Sequence, residues 1–269
     1  RQCLDQAGVH PDRISHLIAV SCTGMSAPGL DLMLLRALEL PVHTHRTGIH
    51  FMGCYAAMHG LKQADAICRA DPKALVLVVC AELCTLHFQK DTSPDNLAAS
   101  LLFADGAAAV LVAGSELPDI ANTGRSLRLD GFYSEVAFAG WQEMAWDISS
   151  RGFLMRLSSY VPELLRQGLL PLVSRALNRL GLNQAQVDHW AIHPGGRKIL
   201  DLAAEELDLP QQALWASYQV LKRYGNMSSP TVLFVLAALQ EKLQPGQRVF
   251  AAAFGPGLTM ETLVATVDE

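Results

Sequence analysis

Three residues far apart in the chain carry side chains that could act together: Cys54, His193 and Asn226. Cys54 follows Gly53 and opens a stretch of helical periodicity. A helix N-terminus there would favour its thiolate through the macrodipole and free backbone N–H groups, and only the thiolate is a strong nucleophile. Asn226 follows Gly225 at the head of a second apolar stretch, so two helix starts are expected to aim at one centre. His193 closes an apolar run and precedes Pro194-Gly195-Gly196; the glycines let the backbone turn away and leave the imidazole projecting. Cysteine and histidine can form a thiolate–imidazolium couple, and the uncharged Asn donates from its amide toward an oxyanion. Two donors with no adjacent carboxylate base suit a developing enolate, the requirement of a decarboxylative Claisen condensation. Papain-like proteases use the same three residue types in the same order, with His about 130–150 residues beyond Cys. The spacing here, 193 − 54 = 139, fits. The C-G-[SA]-C-[WY] context does not, because the chain reads Met52-Gly53-Cys54-Tyr55-Ala56, and a protease would place its Asn on a loop. Cys3, Cys68 and Cys80 read as small buried apolar residues.

Bringing these groups to one point requires a scaffold. Apolar runs at 16–22, 74–81, 107–113, 189–192, 248–254 and 262–267 predict strands, most of them buried on both faces. Helical periodicity covers 29–40, 54–69, 161–180, 196–207 and 226–243. The alternation predicts an α/β chain with helix-covered sheets. A repeat runs through it: Ala7-Gly8-Val9 falls on Leu180-Gly181-Leu182 at 180 − 7 = 173, and Cys54 falls on Asn226 at 226 − 54 = 172. Two duplicated halves follow, 1–114 with the cysteine and 115–269 with His193 and Asn226. The second begins with extended segments at 130–138 and a full helix from 161. The first enters only at the end of its equivalent helix, so its N-terminal part is expected to be incomplete.

The 269 residues are 50% apolar and 17% charged, with mean hydropathy +0.20, which predicts a large core and a subunit interface. A net charge of −5 offers no footprint for nucleic acid or an anionic membrane. No apolar run approaches the ~20 residues needed to span a bilayer. All six cysteines lie in the first third, without CxxC spacing. Neither zinc nor thioredoxin-like chemistry is expected, and reduced cytoplasmic thiols are.

Met52-Gly53-Cys54-Tyr55-Ala56-Ala57, His193-Pro194-Gly195-Gly196, Tyr224-Gly225-Asn226-Met227-Ser228-Ser229 and Phe254-Gly255-Pro256-Gly257-Leu258-Thr259 together resemble the type III polyketide synthases, the chalcone and stilbene synthase family. Leu102-Phe103-Ala104-Asp105-Gly106-Ala107 and Cys80-Ala81-Glu82 add to the likeness, which runs along the whole chain. The related ketoacyl-carrier-protein synthases share the Cys-His-Asn set but usually follow the histidine differently. The resemblance implies a thiolase-like, layered α/β/α/β/α fold of two duplicated halves, acting as a homodimer. It implies condensation of malonyl-CoA units onto an acyl-CoA starter, with no cofactor and no metal, and cyclisation to a pyrone or phenolic ring. Cys54 would carry the chain as a thioester, while His193 and Asn226 would stabilise the enolate. Phe103 matches a gatekeeper phenylalanine, and the Gly255-Pro256-Gly257 loop would shape the cavity wall.

Departures from the family pattern bear on the product. A second gatekeeper falls at Met155, and Trp146 stands where plant chalcone synthases keep a small glycine. Two positions usually threonine are Cys22 and His87, and Ala27 replaces a methionine that commonly crosses the dimer interface. An indole at Trp146 would fill part of an aromatic-starter pocket, so an alkylpyrone or alkylresorcinol is expected before a chalcone. Glu82 with Cys22 and Ser228 matches a network that steers cyclisation in some relatives. Glu82 could equally be a buried carboxylate satisfied by backbone N–H groups. Retention of all three site residues favours an active synthase. A truncated, non-catalytic homologue acting as a dimerisation partner is the reading from another class.

Overall fold

The structure is a computed structural model that describes residues 1–90, 92–117, 120, 126–149, 152–157 and 161–268. Its first sheet contains β1 (His16–Ser21), β2 (His45–His50), β3 (Leu75–Glu82) and β4 (Gly106–Ala113), in the order β2-β1-β3-β4. β1 runs parallel to β2 and β3, and β4 runs antiparallel to β3. The second sheet contains β5 (Leu127–Val136), β8 (His189–Ile192), β9 (Arg248–Gly255) and β10 (Thr259–Val267), in the order β5-β10-β9-β8. β8 is parallel to β9, while β9 and β5 are antiparallel to β10. The runs β1-β3-β4 and β8-β9-β10 therefore have the same order and the same polarity. The internal repeat in the sequence is a repeat of sheet topology. A separate hairpin pairs β6 (Met144–Ser149) with β7 (Gly152–Leu157).

Strand alternation decides how the layers stack. On β3, Val76, Val78 and Cys80 face the central core, while Leu75 and Leu77 face an outer one. On β9, Val249, Ala251 and Ala253 face the centre, and Phe250, Ala252 and Phe254 face the opposite outside. The centre is filled by α3 (Ala56–Ala70) and α8 (Thr231–Gln240), both packed between the two sheets. α1 (Gln2–Gln6) and α2 (Leu30–Ala37) cover the first sheet. α5 (Val161–Asn178) and α6 (Arg197–Glu206) cover the second. This is the expected order α/β/α/β/α. α4 (Pro94–Leu102) lies against β7, and α7 (Trp215–Tyr224) lies against α8.

Several boundaries differ from the sequence reading. The helix expected to start at Asn226 starts at Thr231, because α7 ends at Tyr224 and the residues between run extended or turn. α4, α7 and β2 were not expected. β2 has an alternating-polarity sequence with only Ile49 buried, since it forms one edge of its sheet.

One buried polar cluster ties the halves together. Glu261 of β10 is 2% exposed and accepts from Lys62 Nζ at 2.6 Å and from Ser134 Oγ at 2.7 Å, with His59 Nε2 at 3.1 Å. Lys62 and His59 belong to α3, so the carboxylate fastens the central helix to the second sheet. Burial alone would raise the Glu261 pKa, but the His59, Lys62 and Ser134 hydrogen bonds outweigh it and hold the carboxyl below its ordinary range. A carboxyl whose folded pKa is depressed adds stability above the unfolded pKa and loses it as pH falls through the folded one. Glu261→Gln should therefore lower unfolding free energy by about 1–3 kcal/mol at neutral pH. The gap from wild type should close in acid, as read by denaturant titrations at pH 7 and below pH 4. A gap independent of pH would show that the charge of Glu261 plays no part.

Candidate active site

Cys54 sits in a short 3-10 turn, Gly53–Tyr55, that leads directly into α3. It is 9% exposed. Its place is set from the second half of the chain: a Cβ on Gly53 would lie 2.4 Å from Pro256 Cδ, and one on Gly255 would lie 2.6 Å from Tyr55 Cδ1 and 3.3 Å from the Cys54 nitrogen. Gly53 also adopts φ +71, the left-handed region that side chains resist. The loop after β9 is thus wedged beneath the nucleophile, and two of the three residues expected to shape the cavity wall, Gly255 and Pro256, meet the turn carrying Cys54. Gly257 turns the chain at φ +72.

Asn226 lies between α7 and α8. Gly225 stops α7 at φ +72, with its Cα so near the Leu102 carbonyl that a Cβ would stand 3.1 Å from the oxygen. The Asn226 peptide N–H donates to Leu102 O at 2.9 Å, and Ala104 N–H donates to Asn226 O at 2.9 Å. These bonds flank Phe103, which forms an isolated bridge with Asn226. Met227 is buried against Gly106 of β4. The Asn226 Oδ1 accepts from Ser228 N–H at 2.9 Å. With its oxygen so engaged, the amide nitrogen is left for the site, 4.0 Å from Cys54 Sγ.

His193 follows β8 and donates its backbone N–H to Ala252 O at 2.8 Å. The side chain is 1% exposed, and neither ring nitrogen has a hydrogen-bond partner. Burial pushes its pKa down to about 3. Burial likewise pushes the Cys54 thiol up to about 11; the Ser228 and Asn226 side chains favour the thiolate, and Glu82 opposes it. Burial thus favours the uncharged form of each group, against the charges of a thiolate–imidazolium couple. Neither ring nitrogen is spent on a protein partner, as an oxyanion-binding group requires.

Glu82, at the end of β3, is fully buried. It accepts from Cys22 N–H at 2.9 Å, Thr23 Oγ1 at 2.8 Å and Ser229 Oγ at 2.6 Å. Burial holds its pKa above the ordinary carboxylate value despite these bonds. The network differs from the expected one: Ser229 takes the place given to Ser228, and Cys22 contributes its backbone rather than its side chain. Ser228, at φ +60, spends its N–H on Asn226. Cys22 Sγ instead accepts from Gly53 N–H at 3.0 Å, directly before the nucleophile. Thr23 and Ser229 are the partners that the sequence reading missed, though each adjoins a residue it named. His87 closes the same corner, its Nε2 2.6 Å from Thr23 O.

Trp146 and Met155 face each other in register across β6 and β7. Their side chains lie outside the described residues, so the expected gatekeeper and cavity-filling roles stay as readings of the sequence. Among the described residues no cluster of three metal-ligating side chains occurs, and no helix is long and apolar enough to cross a membrane.

Gly255 has φ −171, an extended conformation open to any residue, so only space opposes substitution. Gly255→Ala should cost about 1–3 kcal/mol through overpacking against Tyr55 and slow iodoacetamide labelling of Cys54 severalfold. Wild-type melting and labelling together would show that the wedge does not set the position of the thiol.

Residues 1–116 match the model of the N-terminal domain of chalcone and stilbene synthases, and residues 138–267 match that of the C-terminal domain. The alpha-pyrone synthesis polyketide synthase-like Pks18 of Mycobacterium tuberculosis is 32% identical over 93% of this chain; the chain spans 64% of the length of that relative. A putative chalcone synthase of Bacillus subtilis is 31% identical, over 98% of the chain and 75% of the relative. The solved 1,3,6,8-tetrahydroxynaphthalene synthase of Streptomyces coelicolor superposes with a TM-score of 0.92 at 30% identity, covering the whole of this chain and 76% of that one. PKS-I of the brown alga Ectocarpus siliculosus gives 0.88 at 31% identity, covering 96% and 70%. The fold is the thiolase-like one of these synthases, and the chain belongs to the chalcone and stilbene synthase family.

Proposed function

We propose that this protein is a type III polyketide synthase that condenses malonyl-CoA onto an acyl-CoA starter. The observation that carries the reading is the meeting of Cys54 Sγ with the Asn226 amide, 4.0 Å apart, both residues buried, in a chain whose buried His193 has no hydrogen-bond partner on either ring nitrogen. Cys54 Sγ attacks the starter carbonyl while its proton passes through the neutral His193 imidazole to the departing CoA sulfur, so that the C–S bond to CoA breaks, CoA thiol leaves and an acyl-cysteine thioester remains. Malonyl-CoA then loses CO2, and the electron pair of the broken C–C bond becomes an enolate whose oxygen is held by His193 and Asn226. The enolate carbon attacks the thioester carbonyl, and collapse of the tetrahedral intermediate gives a β-ketoacyl-CoA and frees the Cys54 sulfur. Repetition lengthens the chain until it cyclises. The residues need no metal or cofactor for these steps, since the thioester substrates supply the electrophile and the carbanion.

The alpha-pyrone synthesis of the Mycobacterium relative and the tetrahydroxynaphthalene synthesis of the Streptomyces one support a pyrone or phenolic outcome. With Trp146 in the sequence, an alkyl starter fits this reading better than an aromatic one. The protein works as a cytoplasmic homodimer, with its six cysteines outside any disulfide.

The test is incubation with labelled malonyl-CoA and a panel of acyl-CoA starters, following CO2 release and products by mass spectrometry. Wild type should yield alkyl pyrones or resorcinols, and Cys54→Ala should yield none. Asn226→Ala should lower decarboxylation by roughly 10²–10³. Aromatic-only turnover would overturn the starter assignment. A well-folded wild type that releases no CO2 with any starter would overturn the synthase and leave the dimerisation partner.

A further inference from the structure

A separate cleft of about 270 Å³ opens where the ends of α3 and α5 meet β5, the edge strand of the second sheet. The sequence of β5 makes the space. Its register with β10 shifts between Val264 and Ala265, which pair with Gly131 and Leu129 and leave Asp130 as an extra residue. Such a bulge bends an edge strand away from its neighbour. The next residue, Gly131, brings no side chain to fill the gap, and a Cβ there would lie 2.9 Å from Leu180 Cδ2. Leu180 therefore leans over the strand, with Ala176 of α5 beside it. Val264 and Thr262 of β10, 2% and 1% exposed, form the floor. The Thr262 hydroxyl donates to the Tyr133 carbonyl at 3.0 Å, so it adds no free hydrogen to that floor.

Two acids line the cleft, and both are engaged. Asp65 accepts from Arg69 Nε at 2.7 Å. Asp130 accepts from Arg128 Nε at 3.0 Å and from Thr266 Oγ1 at 2.5 Å. The two lining arginines keep donors to spare. Arg69 places Nη2 on the Leu129 carbonyl at 3.0 Å, and its Nη1 holds no bond among the described residues. Arg179 is exposed and makes no ion pair and no side-chain hydrogen bond among the described residues. Free guanidinium donors above a small apolar floor suit a planar anion joined to an apolar body, and a carboxylate matches the guanidinium fork. The space is that of about nine waters at roughly 30 Å³ each, so a ligand of about ten non-hydrogen atoms fits. Arg69 stands in the last turn of α3 and Cys54 directly before the first, so roughly 20 Å of helix separates the cleft from the sulfur.

We propose that this cleft is a binding site for a small apolar carboxylic acid, with the carboxylate held by Arg69 and Arg179 and the body laid against Val264, Ala176 and Leu180. Binding here is separate from the reacting groups and requires no turnover.

The test uses 4-bromobenzoate, which is of this size, and 4-bromobenzamide, its uncharged isostere. By calorimetry, wild type should bind the benzoate about fivefold or more tighter than the benzamide, and raised ionic strength should narrow the gap. Arg179→Ala should weaken benzoate binding about three- to tenfold and leave benzamide binding within about twofold. Arg179→Lys keeps the charge and loses the fork, so it should fall between. Arg179 is exposed, and both variants should melt with wild type. In crystals soaked with the benzoate, the anomalous signal of bromine should lie between Leu180 and Val264. Equal affinity for the two compounds, benzoate binding unchanged in Arg179→Ala, or bromine found only beside Cys54 would each overturn the site.

Discussion

Cys54 heads a helix packed on the first sheet, whereas Asn226 precedes one packed on the second, so their meeting depends on how closely two halves of one chain approach. The approach is steric before it is polar. Gly53 and Gly255 lack the Cβ atoms that would strike Pro256 and Tyr55, and this lets the turn after β9 slide under the start of α3. Glu261 then fastens the same helix through His59 and Lys62. A void or an added methyl at this seam would be felt at the sulfur, because packed interiors transmit displacement rather than absorb it.

The polar groups around the sulfur divide into two sets. Asn226 has its oxygen committed to Ser228 and only a long 4.0 Å contact from its nitrogen to Cys54 Sγ, and His193 has no partner on either ring nitrogen. Glu82 is the opposite case, with three protein donors on two oxygens and no outlet. Burying a carboxylate without a cation is costly, so its role is to hold the loops after β1 and the segment after Asn226 in register. The positions of Cys22 and Ser229 follow from that single anchor.

Much of this was legible in the residues. The glycines before Cys54 and Asn226, the HPGG turn after His193 and the offset of about 172 between halves singled out three residues and led to the layer order that the structure has. What was not legible had definite physical causes. Asn226 reads as a helix start because apolar residues follow it, yet Gly225, Met227 and Ser228 are bent by contacts to Leu102 and Gly106 that are remote in sequence. β2 was hidden because an edge strand shows half its surface to water and keeps little apolar pattern. Ser228 and Ser229 are adjacent and identical, and only the positive φ at Ser228 decides which hydroxyl reaches Glu82. The unpaired thiol and imidazole could not be foreseen either, since desolvation is a property of the whole enclosure and not of two residue types.

The central layer has a consequence in time as well as in space. α3 and α8 are covered on both sides by sheets, and backbone amides in such a layer are released only when the whole domain opens. Cys54 sits at the head of one of these helices, and Asn226 lies a few residues before the other. The Cys54–Asn226 pair is therefore attached to the slowest-opening part of the molecule and persists as long as the fold does.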